Sequence, residues 1–203
     1  MISATRTLPD GYRQTDEINL AKNKGLSILL NLGAVLIFIA CLMLLGWLLG
    51  WARPDLVSGT FTFTSGLLQV AGLFAAVILM LLAHEAIHGL FFWIFTHSKP
   101  VFALRPLYAY AAAPDWYIPA RQYLIVALAP LVLIDLIGLL AILAMPAGWV
   151  LISAFLAALN TGGSVGDVYI VARLLRLSAG SLAKDAGDSV SFFEATSGTS
   201  TSV

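Results

Sequence analysis

The stretch Val77-Ile78-Leu79-Met80-Leu81-Leu82-Ala83-His84-Glu85-Ala86-Ile87-His88-Gly89-Leu90-Phe91-Phe92-Trp93 decides the reading of this chain, because it sets three ionisable side chains inside a long apolar run. On an α-helix, residues four apart lie about 40° apart around the axis and one turn along it, so His84 and His88 can hold one Zn²⁺ from a single face. Glu85 stands about 100° away from His84 and can reach a zinc-bound water as general base without being a ligand. The same five-residue pattern in a soluble protein also fits a solvated helix face. The apolar flanks exclude that here, leaving a metal site or an unmetallated polar contact between helices.

The rest of the composition agrees with an apolar setting. The chain has 203 residues, 60% hydrophobic and only 11% charged, with a mean hydropathy of +0.91, whereas soluble domains are about 25% charged. Eleven basic residues balance eleven acidic ones, so no basic surface is available to hold nucleic acid through its phosphates. The single cysteine, Cys41, excludes an internal disulfide and a paired-cysteine zinc site. A metal must therefore be held by histidines and carboxylates.

Four stretches are long and apolar enough to span a bilayer, which takes about 20 residues. They are Ser27 to Trp51, Gly66 to Phe95, Gln122 to Met145 and Trp149 to Leu175. The first follows a polar segment containing Asp10, Asp16 and Glu17, the wrong layout for a cleaved signal peptide, and reads as a retained helix. Ten of the eleven Lys and Arg fall in the N-terminal tail, the 97–121 loop and the C-terminal segment together with Arg173 at the end of the fourth span, against Arg53 alone on the other side. The positive-inside rule then puts both termini and that loop in the cytoplasm. The expected fold is an all-α membrane protein of about four transmembrane helices (27–175) between an N-terminal tail (1–26) and a C-terminal segment (176–203), at a cell membrane.

The 97–121 loop is interrupted by Pro100, Pro106, Pro114 and Pro119 and carries β-branched, aromatic and small residues, so a short hairpin or re-entrant loop is expected there, with a turn at Arg105-Pro106. Its apolar character suggests a return toward the membrane under cover of protein or a wet cavity. The Ser, Thr and Gly tail from Ala195 to Val203 reads as disordered. No internal repeat is visible, which speaks against an inverted-repeat transporter.

Two further carboxyls fall inside the spans, Asp135 on the third and Asp167 on the fourth. Three carboxyls there, counting Glu85, without a basic partner point to a cation or to protonation. Asp167 lies as deep in the fourth span as His84 does in the second, which makes it the best candidate for a third ligand; His97 is half a turn out of phase with His88 and reads as an interfacial histidine. Asn160-Thr161-Gly162-Gly163-Ser164-Val165-Gly166-Asp167 is expected to loosen or break its helix, which would carry the Asn160 amide toward the metal as an oxyanion donor. A small-residue packing seam is the plainer account of the same segment. Asp135 remains open between a hydrogen-bond acceptor for a ligating imidazole, an alternative third ligand and a protonated carboxyl between helices.

With His84-Glu85-Ala86-Ile87-His88-Gly89 on one span, Leu128-Ala129-Pro130 on the third and Asn160 to Asp167 on the fourth, the chain resembles membrane-embedded zinc metalloproteases of the site-2 protease type, and in particular the branch called "Putative zincin peptidase", over roughly Ala71 to Phe193. The resemblance implies zinc ligands at His84, His88 and Asp167, water activation by Glu85 and polarisation of the scissile carbonyl by Asn160. Two departures stand out: Gly166 precedes Asp167 where the family has Asp-Gly, and no peptide-binding insert is present.

The expected activity is intramembrane zinc-dependent hydrolysis of a peptide bond near the cytoplasmic side. The expected partners are a membrane-protein or peptide substrate, the lipid bilayer and, optionally, further copies of the chain as a homo-oligomer, with no nucleic acid. A substrate segment could add to an edge of the 101–113 hairpin as an extra strand. A non-proteolytic metal-binding membrane protein, and less readily a zinc transporter, are the competing readings. Three histidines are too few for a membrane di-iron oxygenase, and Ser164 has no intramembrane histidine to activate it as a rhomboid-like nucleophile.

Overall fold

The computed structural model describes residues 3–53, 67–105, 108–178 and 180–196. Residues 106–107 of the turn expected at Arg105-Pro106, and the tail from 197 onward, lie outside them. Five helices occur among the described residues: α1 (Lys24–Ala52), α2 (Leu67–Thr96), α3 (Ala120–Ala144), α4 (Ala147–Gly163) and α5 (Val165–Leu174). The first three are long and apolar enough to cross a membrane, and α4 with α5 forms a bent pair that passes the same test as one span. Ser164 marks the break, its backbone N–H returning to the Asn160 and Gly162 carbonyls. Large apolar side chains such as Ile28, Leu36, Trp47, Leu79 and Leu140 are exposed on these helices, as lipid-facing side chains are.

The chain is not helical throughout. Strands β1 (Tyr12–Asn19), β4 (Ile118–Pro119), β5 (Leu182–Asp185) and β6 (Ser189–Ala195) make a four-stranded antiparallel sheet in the order β1-β6-β5-β4. The N-terminal tail and C-terminal segment, which carry no membrane-span pattern, supply three of its strands. The physical reason that the sequence conceals this sheet is distance: Tyr12 pairs with Ala195 and Asn19 with Ser189. A second, two-stranded sheet is the hairpin of β2 (Val101–Arg105) and β3 (Tyr108–Ala112), with Val101 opposite Ala112 and Arg105 opposite Tyr108.

The chain divides into two compact units, one of residues 1–28, 85–129 and 167–203, the other of 29–84 and 130–166. In the first, Ile118, Phe92, Tyr123, Val126, Ala183 and Phe192 form a buried core between sheet and helix residues. The Arg173 guanidinium pairs with Asp16, tying α5 to β1. A Cβ at Gly89, next to His88, would come within 2.3 Å of the tip of the Phe102 ring on the hairpin, so a larger residue there would have to displace that exposed ring. In the second unit, Leu49, Ile142, Val150 and Ala154 pack together. Close approach of α4 to α1 depends on Gly162, whose Cβ would lie 2.8 Å from the Ala34 carbonyl oxygen.

One buried polar contact of the first unit gives a pH signature. The Tyr123 hydroxyl donates to Asp185 Oδ2, and the Gly187 N–H donates to Oδ1 at 2.7 Å. Burial outweighs these bonds and pushes the Asp185 carboxyl up to about 6. An unfolded Asp titrates near 4, so the unfolded chain ionises first as pH rises. Stability is therefore full below about pH 4 and falls through pH 6, by about 3 kcal/mol from this group. Asp185→Asn lacks the titration, so denaturation across this range should show the variant gaining on the wild type by that amount. A constant difference between the two would contradict it.

Candidate metal centre

The second apolar stretch folds as one helix, α2, and its periodicity sets His84 and His88 one turn apart. In the first unit, buried His88 makes two contacts that define its ring. Its Nδ1 lies 2.9 Å from the Val126 carbonyl oxygen, which makes Nδ1 the N–H donor and puts the lone pair on Nε2. Its Nε2 lies 3.5 Å from Asp167 Oδ1. That distance is long for a hydrogen bond, but two ligands each about 2.0–2.2 Å from a tetrahedral zinc stand about 3.3–3.6 Å apart. Asp167 sits in the first turn of α5, just past the break at Ser164, where a carboxylate also suits the helix dipole.

Glu85 belongs to the same unit. Its Oε2 accepts the Ala111 N–H at 2.9 Å. Ala111 stands opposite Phe102 in the hairpin register, yet this N–H turns away from β2, so the outer edge of β3 faces the glutamate. Among the described residues no other strand pairs with that edge.

In the second unit, His84 Nδ1 lies 2.9 Å from Asn160 Oδ1. The ring therefore donates from Nδ1 and presents its lone pair on Nε2, like His88. Asn160 is buried, and its Nδ2 donates to Asp135 Oδ1 at 2.8 Å and, more weakly, to the Pro130 carbonyl at 3.4 Å. Thr161 Oγ1 donates to Asp135 Oδ2 at 2.7 Å. A carboxylate only accepts, so Asp135 fixes which end of the Asn160 amide meets His84.

His84, one turn before His88 on the same helix, completes a set with His88 and Asp167: one ligand atom from each lies within 4.8 Å of the others. Two imidazoles and a carboxylate are the donor set of a catalytic zinc, which keeps a fourth position for water. The residues present fit that ion. His97 is outside the set; it ends α2 in the left-handed region at φ 52°, a terminating position rather than a liganding one. Asp135 on α3 meets Asn160 and Thr161 on α4, so of its three sequence readings the carboxyl hydrogen-bonded between helices is the closest, with its link to His84 running through the Asn160 amide.

Residues 77–182, just over half of the chain, match the family described as "Putative zincin peptidase". The chain belongs to that family. No curated protein and no solved structure matches it. Membership in the zincin-peptidase family points to a metallopeptidase and to zinc, and the match includes every residue of the ligand set as well as Glu85, the hairpin, Asp135 and Asn160. Sequence reasoning missed two main-chain groups at this centre, the Ala111 N–H and the Val126 carbonyl, because a backbone atom has no letter of its own.

Proposed function

We propose that this chain is a zinc metallopeptidase embedded in a membrane, hydrolysing a peptide bond in an extended segment of another membrane protein near the cytoplasmic side. The observation that carries the reading is Glu85: it is next to a two-histidine, one-aspartate donor set and is anchored to a strand edge. His84, His88 and Asp167 would hold the ion. Bound zinc supplies Lewis acidity, which makes water more acidic and polarises a carbonyl.

The protein's own groups do the remainder. Glu85 takes the proton from the attacking water and delivers it to the leaving amine. The outer edge of β3 offers main-chain groups for an extended substrate to pair with, and the Ala111 bond puts the glutamate beside that edge. Asn160 holds the His84 ring through Oδ1, while its weaker contact to the Pro130 carbonyl is the one it can exchange for a substrate oxyanion. The apolar helices favour a lipid surrounding, and the pairing of β1 with β6 supports both termini on one side, in keeping with the distribution of basic residues.

The test is cleavage by the purified chain in proteoliposomes, using membrane-protein segments with unwound stretches as substrates. New amino termini should form with zinc, cease after chelation and return when zinc is restored. A folded, zinc-saturated protein that cleaves no such segment would leave metal binding without peptidase chemistry.

A further inference from the structure

Pro130 plays no part in the mechanism above except to offer its carbonyl, yet it is fully buried in the interior of α3. In an α-helix the N–H of each residue bonds the carbonyl four positions before it. Proline has no N–H, so the group that loses its helical donor to Pro130 is the carbonyl of Val126. That same carbonyl accepts the Nδ1–H of His88 at 2.9 Å. The hydrogen-bond accounting therefore closes: a buried acceptor deprived of its main-chain donor receives the imidazole instead.

We propose that Pro130 is a positioning residue for the metal centre, freeing the Val126 carbonyl to hold His88 in the tautomer that points a lone pair toward the ion. The proposal rests on the metallopeptidase reading. It explains a helix breaker in the middle of an apolar helix by what the missing donor makes available. It also separates the supports of the two histidines: His84 depends on the Asn160 side chain, His88 on the main chain of α3.

Pro130→Ala and the bulkier Pro130→Val both restore an N–H at this position, which competes with His88 for the Val126 carbonyl. Each variant, as the full chain in detergent, is compared with the wild type by chelator competition for zinc, by thermal unfolding of the zinc-free protein and by nitrogen NMR of the histidine rings at a pH where they are neutral. Zinc affinity should fall about 10- to 100-fold, the usual effect of removing a ligand's hydrogen-bond partner. The zinc-free variants should unfold at a higher temperature than the wild type, because a proline has left a helix interior. The His88 proton should shift from Nδ1 alone to a mixture of both nitrogens. A merely structural proline would move stability without moving the tautomer. Unchanged zinc affinity and an unchanged tautomer in both variants would overturn the proposal. A wild-type chain that binds no zinc would instead overturn the metallopeptidase reading, and the tautomer comparison would still decide the role of Pro130.

Discussion

Glu85→Gln abolishes peptide hydrolysis and leaves zinc bound: this is the expected result with the largest effect on rate. The amide is the same size as the carboxylate and keeps an oxygen that can accept the Ala111 N–H, so the glutamate's tie to the hairpin survives the change. An amide has no basic oxygen with which to take a proton from water at neutral pH. Loss of a general base costs about 10²- to 10⁴-fold in rate. Zinc stoichiometry should stay at the wild-type level, because Glu85 is outside the set of three ligand atoms. The measurement is kcat/KM on a cleaved segment beside metal analysis of the same preparation. A variant that cuts at near wild-type rate would remove Glu85 from the mechanism, and one that loses its zinc would make Glu85 a ligand.

Asp167→Ala carries the largest expected effect on metal binding. It removes the only carboxylate of the donor set and leaves two imidazoles on α2. Two ligands do not make a catalytic zinc site, so affinity should fall by more than the about 100-fold that marks the upper end for an outer hydrogen-bonding partner. Asp135→Ala makes the comparison exacting, since Asp135 is also a carboxylate within an apolar helix but bonds Asn160 and Thr161. Its loss should stay within the about 10- to 100-fold range and leave zinc detectable at high concentration. Equal losses in the two variants, measured by chelator competition, would sink the assignment of Asp167 as the third ligand. The α5 dipole loses its acidic partner in Asp167→Ala, an effect of at most about 2 kcal/mol on the helix end, smaller than the expected change in zinc affinity.

Residues whose roles depend on a local period were legible in the sequence. His84 and His88 are four apart on one helix, so no long-range information was needed to bring them together. Asp167 was reachable by counting along two apolar stretches, because His84 and Asp167 fall equally far from their starts. The hairpin showed through its prolines and its aromatic and small residues. The four-stranded sheet did not, since β1 is mostly polar and exposed and its partner lies at the far end of the sequence. Asn160 was legible as a polar intruder, but its contact with His84 was not, because which amide end meets the ring is decided by Asp135 on another helix. Pro130 was visible all along, and only the position of His88 shows what its absent N–H accomplishes.

The pairing of β1 with β6 also sets an order of events. β1 is the first strand to be synthesised and β6 the last, with Tyr12 matched to Ala195. By the time β6 emerges, both histidines and Asp167 have long been made, whereas β1 has had no partner for its outward main-chain groups. Contacts so far apart in sequence are slow to form, and the loop they close contains all five described helices. Closure of this sheet therefore has to wait for the last described strand, by which time the described helices have all been made.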